Sequence, residues 1–438
     1  MKAPDGKVHV SLFDMIMCLS NAMDLVSPAV VDHHKHVAYI ASALSTELGL
    51  TEKEETLLMM AGALHDTGAL SLKERIDTLS FEMKSPHEHA EAGYLLLKTF
   101  EPFSRIATMI RYHHVPWNGG KGSEFMGKPV PVESHILHLA DRVDVLIDKQ
   151  NEVLGQVEGI CKTIENKSGV TFMPELVKAF MRLARKESFW LDTVFPSMNQ
   201  ILANRASNAT IVLDVEGLLN LAKLFSRIID FRSPFTAVHS SGVAASAAAL
   251  AGYCGFSEQQ CRMMNIAGYL HDLGKLAVPA EILESPSKLE EDDFRIIKRH
   301  SFYTYRILET ISDLDVINKW ASFHHERLEG EGYPFHYGDK ELPLGSRIMS
   351  VADVFTAITE DRPYRKGMGK EEALQVLRQM VETSRLDSGI VSTLAQHYQE
   401  INSVQVAAQS QASHEYEEYW RDLKNFGRDK DKKGLAYS

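Results

Sequence analysis

One arrangement of histidines and aspartates is written twice in this chain, and that repeat constrains the fold more than any other feature. The segment VDHHKHVAYIASALSTELGLTEKEETLLMMAGALHD, ending at Asp66, lies on AVHSSGVAASAAALAGYCGFSEQQCRMMNIAGYLHD, ending at Asp272. His33 then falls on His239, Gly49 on Gly255, His65 on His271 and Asp66 on Asp272, all at one offset (239 − 33 = 271 − 65 = 206). Downstream, His89 falls on His300 and His113-His114 on His324-His325 (300 − 89 = 324 − 113 = 211). Asp141 falls on Asp353 (353 − 141 = 212). The offset grows only between motifs, as loop insertions make it do. Seven metal-type residues keep register, so the chain reads as one folding unit written twice.

The local pattern is helical throughout. MAGALHDTG and IAGYLHDLG carry apolar residues at helical spacing and run into a glycine that stops the helix. Segments 87–100, 133–150, 371–384 and 393–407 show the same period, and convincing alternating strands are nearly absent. The expected fold class is all-α, with domains over 1–200 and 201–405. The second is expected to open with a connecting helix over SMNQILANRASNATIVLDVEGLLNLAKLFSRIID. Residues 406–438 read as a charged, tyrosine-rich helix (HEYEEYWRDLKNF) and a lysine-rich end, a solvated helix and a frayed terminus.

Bulk properties narrow the function classes. A chain of 438 residues, 44% hydrophobic and 24% charged, has the make-up of a globular protein rather than a disordered one. A net charge of −12 argues against broad, salt-driven binding to duplex nucleic acid. It still permits an anionic small molecule where metal ions and a few basic side chains concentrate positive charge. Cys18, Cys161, Cys254 and Cys261 are scattered, so neither a disulfide framework nor a zinc knuckle is expected. Asp5, Asp14 and Asp24 interrupt the N-terminal apolar run, which excludes a signal peptide. Gly242 to Phe256 is uncharged but Ala/Ser/Gly-rich, a closely packed helix rather than a membrane span. A reducing cytoplasm and no membrane partner are expected.

The chemistry lies in the histidines. His271 and Asp272 end a buried helix, where an unpaired carboxylate would be costly. Neutral imidazole and carboxylate oxygens together suit Fe, Mn, Ni, Co or Zn. Two such ions about 3.5–4 Å apart can share a bridging hydroxide while neutralising a phosphate, and an aspartate can span both through its two oxygens. That chemistry suits hydrolysis of a phosphodiester. Any one buried histidine is more often a satisfied core group; the whole set repeated in register is not.

The second half resembles an HD-GYP domain, the phosphodiesterase branch of the HD superfamily. The matching residues are LHDLGK (270–275), His300, HHERLEGEGYP (324–334), ADVFTAIT (352–359) and DRPYR (361–365), spanning about 215–385. The first half resembles the same domain in degenerate form: LHDTGA, His89, HHVPWNGG and ADRVD. The family opens cyclic dinucleotide second messengers in bacteria to linear dinucleotides. The resemblance implies two divalent ions, Fe or Mn foremost, on His239, His271, Asp272, His300, His324, His325 and Asp353, with Asp272 bridging. It implies Lys275 beside the scissile phosphate as a catalytic cation, and Arg362 and Arg365 on the substrate phosphates. Gly332-Tyr333-Pro334 reads as a tight turn that shapes the pocket lip and offers a surface to a GGDEF-type or other signalling partner. In the first half, the corresponding possible metal set is His33, His65, Asp66, His89, His113, His114 and Asp141.

Departures sharpen the expectation. Phe235, with Ala29 as its counterpart, stands where some members place a glutamate for a third ion, which favours two ions over three. Leu328-Glu329 stands where Trp-Asp is usual. Ala69 replaces the lysine that Lys275 represents, WNGGKG replaces the GYP loop, and nothing after Asp141 matches RPYR. The first half is therefore expected to keep metal ligands without substrate handling and to pack against its sibling. Tandem chains of this kind resemble a subgroup that cleaves 3′,3′-cyclic GMP-AMP in vibrios, giving linear pApG. Cyclic di-GMP, opened to pGpG, is the alternative substrate. An inactive HD-fold scaffold and a hydrolase of dNTPs or (p)ppGpp are the readings from other classes.

Overall fold

The computed structural model describes residues 9–27, 30–83, 86–206, 211–233, 236–283, 290–361 and 365–432. Among these, helices dominate and the four strands are two residues long each, so the chain is all-α. Contacts divide it into two units. One holds Ser11–Ile211 with residues from Tyr419 onward; the other holds Val212–Glu418 with residues up to Val10.

The repeat is visible in how each helix begins and ends. Gly49 and Gly255 follow the ends of the His33–Glu47 and His239–Tyr253 helices at φ 73° and 88°, a left-handed conformation that glycine adopts without a Cβ penalty. The next helix starts from a reciprocal cap: Thr51 with Glu54 in one unit, Ser257 with Gln260 in the other. These pairs keep the 206-residue offset (257 − 51 = 260 − 54).

Glycines then set the distances between the helices that carry the histidines. A Cβ at Gly62 would lie 2.6 Å from the Ala38 Cα, and one at Gly268 would lie 2.4 Å from the Ala244 Cα. The His33–Glu47 and His239–Tyr253 helices therefore touch the helix that follows them backbone to backbone. Gly68 and Gly274 do the same for the loop after each His-Asp pair, where a Cβ would meet the carbonyl of His89 at 2.0 Å or of His300 at 1.9 Å. Buried aliphatics such as Leu58, Leu64 and Ile110 in one unit, and Ile266, Leu270 and Val351 in the other, fill the space behind.

Two expectations are corrected. The connecting segment is two helices, Met198–Ala206 and Val215–Asp230, because Asp214 starts the second by accepting from the Gly217 N–H at 2.8 Å. The C-terminal segment is one helix, Tyr398–Lys432, and it is not merely solvated. Gln405, Ala412 and Tyr419 are buried at seven-residue intervals, and Phe426, next in that series, packs on Tyr112, Val115, Phe125 and Val130. Glu415 pairs with Lys223 at 3.1 Å and Arg227 at 2.6 Å. A stripe one residue wide is hidden in a sequence otherwise rich in charge.

No helix among the described residues is long and apolar enough to cross a membrane.

Candidate metal centre

The fold brings the seven residues of the second half together from five helices and their ends. His239 opens the His239–Tyr253 helix and His271 caps the end of Glu258–Leu270, with Asp272 next. His300 lies within Glu291–Leu308, His324-His325 follow Asp315–Ser322, and Asp353 lies within Leu344–Thr359. The seven of the first half occupy the matching places on their own helices.

The ring orientations are set from outside. His271, His300 and His324 each place Nδ1 against a backbone carbonyl, of Gly268 at 2.7 Å, Ile297 at 2.6 Å and Ala321 at 2.6 Å. A carbonyl only accepts, so Nδ1 carries the proton and Nε2 presents a lone pair inward. The Nε2 atoms of His300 and His324 lie 3.3 Å apart. Two lone pairs that close repel unless a cation lies between them. Donor atoms of His300, His324 and His325 form one group within 4.8 Å, and those of His239, His271 and Asp353 form another. Asp272 sits between the groups, with Oδ2 3.1 Å from His271 and Oδ1 3.4 Å from His300. Each oxygen faces one group, the disposition a carboxylate needs to span two ions.

The charges fit the same reading. Burial holds His300 down to about 4 and His324 down to about 3, so both imidazoles are neutral at physiological pH. Burial opposes charge on Asp272 as well, but His271, Lys275 and His300 outweigh it and keep the carboxyl well below its ordinary value. His239 is pushed up to about 10: burial works against its charge, and Glu360 and Asp353 overcome it. Without a cation, protons hold these carboxylates together. Lys275 donates to Asp272 Oδ2 at 2.6 Å, and 18% of its side chain stays exposed.

The Gly332-Tyr333-Pro334 turn folds back on the histidine pair. The Tyr333 ring lies 4.7 Å from that of His325, and a Cβ on Gly332 would sit 2.4 Å from the Glu326 Cα. Glu326, 2% exposed, pins the following loop by accepting from the N–H groups of Phe335 at 2.6 Å and Tyr337 at 3.1 Å. Arg365 is exposed and donates to the Ala357 carbonyl at 2.6 Å. Arg362, Phe235 and Ala29 lie outside the described residues.

The first-half cluster is more deeply buried and carries buried polar atoms without hydrogen-bond partners. Nε2 of His33, His65 and His113, and one oxygen each of Asp66 and Asp141, have no hydrogen-bond partner among the described residues. Asp66 faces His65 at 3.4 Å through one oxygen and His89 at 3.3 Å through the other. Unpaired buried polar atoms that converge this way fit a metal ion. Two differences separate this centre from its sibling. Arg142 takes Asp141 Oδ2 at 2.7 Å, leaving Oδ1 to the histidines, and Ala69 offers no cation. The WNGGKG loop is tied elsewhere, with the N–H groups of Trp117 and Asn118 donating to the carbonyls of Thr171 and Val170.

Glu360, Asp144 and Arg142 contact His239, His33 and Asp141 and escape a reading of the sequence. The signal for the two carboxylates was available, since Asp144 follows Asp141 by three residues on one helix and Glu360 caps the end of the helix that carries Asp353, seven residues on. Glu360 is 3.2 Å from His239 Nδ1, and Asp144 is 2.7 Å from His33 Nδ1.

HD-domain family models match residues 30–146 and 223–390. A 3′,3′-cGAMP-specific phosphodiesterase of Vibrio cholerae is 30% identical over 416 residues, covering 93% of this chain and 96% of the relative. The chain belongs to the tandem HD-domain phosphodiesterase family. A solved structure of a cyclic GMP-AMP-specific phosphodiesterase from V. cholerae superposes on this HD-domain chain with TM-score 0.62 at 25% identity, covering 89% of this chain and 98% of that one. A cyclic di-GMP phosphodiesterase of Pseudomonas aeruginosa is 35% identical over 169 residues, 38% of this chain and 40% of that protein.

Proposed function

We propose that the second half hydrolyses a bacterial cyclic dinucleotide, 3′,3′-cyclic GMP-AMP first among them, to the linear pApG. The observation that carries this reading is Asp272, whose two oxygens face two separate histidine groups while the Lys275 ammonium lies against its Oδ2. His239, His271 and Asp353 would hold one divalent ion and His300, His324 and His325 the other, with Asp272 shared. Iron or manganese suits this mixed nitrogen and oxygen set. Bound there, two divalent ions would neutralise a phosphate and supply a nucleophile at neutral pH. The chain's own part is to present neutral imidazoles, keep Asp272 ionised, and hold an ammonium where charge builds on the phosphoryl oxygens. Arg362 and Arg365 are assigned to the substrate phosphates. For Arg365 this requires its guanidinium to leave the Ala357 carbonyl when substrate binds. The Vibrio relative that spans almost the whole chain supports 3′,3′-cyclic GMP-AMP as substrate.

The first half is proposed to hold metal without hydrolysing substrate, because Arg142 occupies an oxygen of Asp141 and no lysine stands at Ala69. Cyclic di-GMP is the second reading for the active half, favoured by the Pseudomonas relative. Purified protein loaded with Mn²⁺ or Fe²⁺ is incubated with 3′,3′-cyclic GMP-AMP, cyclic di-GMP and cyclic di-AMP, and products are resolved by chromatography. Preferential opening of 3′,3′-cyclic GMP-AMP is expected. Faster opening of cyclic di-GMP would select the second reading, and no opening of any of the three would overturn both.

A further inference from the structure

The first histidine of each cluster is held differently from five of the others. His65, His113, His271, His300 and His324 all place Nδ1 on the carbonyl three residues earlier. His33 and His239 open their helices; the carbonyls three residues earlier, of Val30 and Thr236, accept from their backbone N–H groups at 3.1 Å and 2.9 Å, and a side chain meets Nδ1 instead. In the first half it is Asp144, gripped on both oxygens: 2.7 Å from His33 Nδ1 and 2.7 Å from His36 Nδ1.

By register, Asp144 corresponds to Thr356 (144 + 212) and His36 to Gly242 (36 + 206). Neither can do the same work. The Thr356 hydroxyl lies 3.1 Å from Ser246 Oγ, and Gly242 has no side chain. Glu360, one helical turn further on, is 3.2 Å from His239 Nδ1 and 3.4 Å from Gln409 Nε2 on the Tyr398–Lys432 helix. Gly242 makes room for that glutamine, since a Cβ there would lie 2.8 Å from Gln409 Nε2. Asp144 follows Asp141 by three residues and Glu360 follows Asp353 by seven, so both carboxylates project from the ligand's own face of the helix.

We propose that Glu360, braced by Gln409, is the positioning residue of the second-half centre, orienting His239 toward the metal as Asp144 orients His33 in the first half. The inference rests on the second-half metal reading above. Glu360 touches no reacting atom; it fixes the tautomer and ring angle of His239 and raises its basicity. Removing such a partner typically costs about 10–100-fold in metal affinity or activity.

The test uses the full chain, stripped with chelator and dialysed against graded Mn²⁺, with bound manganese measured by elemental analysis. Uptake by the second half is the part lost in an Asp272→Ala chain. Glu360→Ala is expected to weaken that part by about 10–100-fold. Glu360→Gln, nearly isosteric and still able to accept from Nδ1, is expected to weaken it less, and Gln409→Ala to shift it the same way. Adding Thr356→Asp to Glu360→Gln restores a carboxylate at the register of Asp144 and is expected to recover affinity, which a purely structural role would not. Melting curves identify any variant that fails to fold, and the near-isosteric glutamine carries the test if the alanine does. Folded Glu360 variants that bind Mn²⁺ like the unaltered chain, or a loss that Thr356→Asp does not reverse, overturn the inference. If the unaltered chain takes up no more Mn²⁺ than Asp272→Ala, the metal reading beneath it falls as well.

Discussion

Replacing Gly268 by alanine separates the positioning of the clustered histidines from the stability of the fold. The new Cβ would lie 2.4 Å from the Ala244 Cα, whereas ordinary contacts begin at 3.4 Å, so the two helices must part by about 1.0 Å (3.4 − 2.4). Overpacking of this kind costs about 1–3 kcal/mol, and alanine returns about 1 kcal/mol of helix propensity. The net cost is then at most about 2 kcal/mol, a fall in melting temperature of under about 8 °C for a unit of roughly 200 residues. Catalysis is affected far more. His271 bonds the Gly268 carbonyl and His239 sits on the displaced helix, so both ligands move, and a misplacement of about 1 Å costs roughly 100-fold. Gly62→Ala imposes the same strain on the first half, at 2.6 Å from the Ala38 Cα. Linear dinucleotide release and thermal melting, measured on both variants, should show a large loss of turnover only for Gly268→Ala. Turnover within about threefold of wild type in that variant, or equal losses in the two, would refute the reasoning.

Other expectations follow from the same geometry. Lys275→Ala should lower kcat by about 10²–10³-fold while manganese content stays unchanged, since it removes a cation and no ligand; lost metal would contradict that division. Asp272→Ala should abolish turnover and lower second-half manganese together, and retained activity would remove Asp272 from the centre. Glu326→Ala should free the loop at Phe335 and Tyr337 at a cost of about 1–3 kcal/mol, read as faster proteolysis in that loop. In the metal-free chain, His300 near 4 and His324 near 3 bind fewer protons folded than unfolded. Their contribution is complete above about 6.5 and is lost as pH falls from there toward 4. Asp272, held well below its usual value, adds a loss only in stronger acid. His239, raised to about 10, works in the other sense: its contribution is complete below about 6.5 and fades as pH rises toward 10. Melting temperature should therefore drop between pH 6.5 and 4.5, and a flat profile there would count against neutral buried ligands.

Much of the site was legible because its residues are rare types at fixed positions on helices. His239, His271 and Asp353 stand far apart in sequence, yet repetition at nearly constant offset singled them out before any contact was known. The helical period and the glycines after each histidine–aspartate pair carried the all-α architecture for the same reason. What stayed hidden depends on neighbours through space. Glu360 contacts His239 although the register points to Thr356, and only the approach of Gln409 explains the change. Arg142 looks like a surface charge beside Asp141 until its guanidinium is seen against the carboxylate and the backbone of Thr78 and Ser80. The last helix was misread because one buried residue in seven gives a weak apolar signal.

That last helix also bears on the chain's ancestry. Two copies of one unit, joined end to end, would each be encoded by an unbroken stretch and could be exchanged whole. Here Gln409 and Glu415 belong to one copy, and residues from Tyr419 onward belong to the other. A crossover just after residue 405 would strip the second copy of the side chains that hold Glu360, Lys223 and Arg227, and would remove Phe426 from the first. A cut at the end of the second repeat would therefore leave both units short of side chains that one continuous helix supplies.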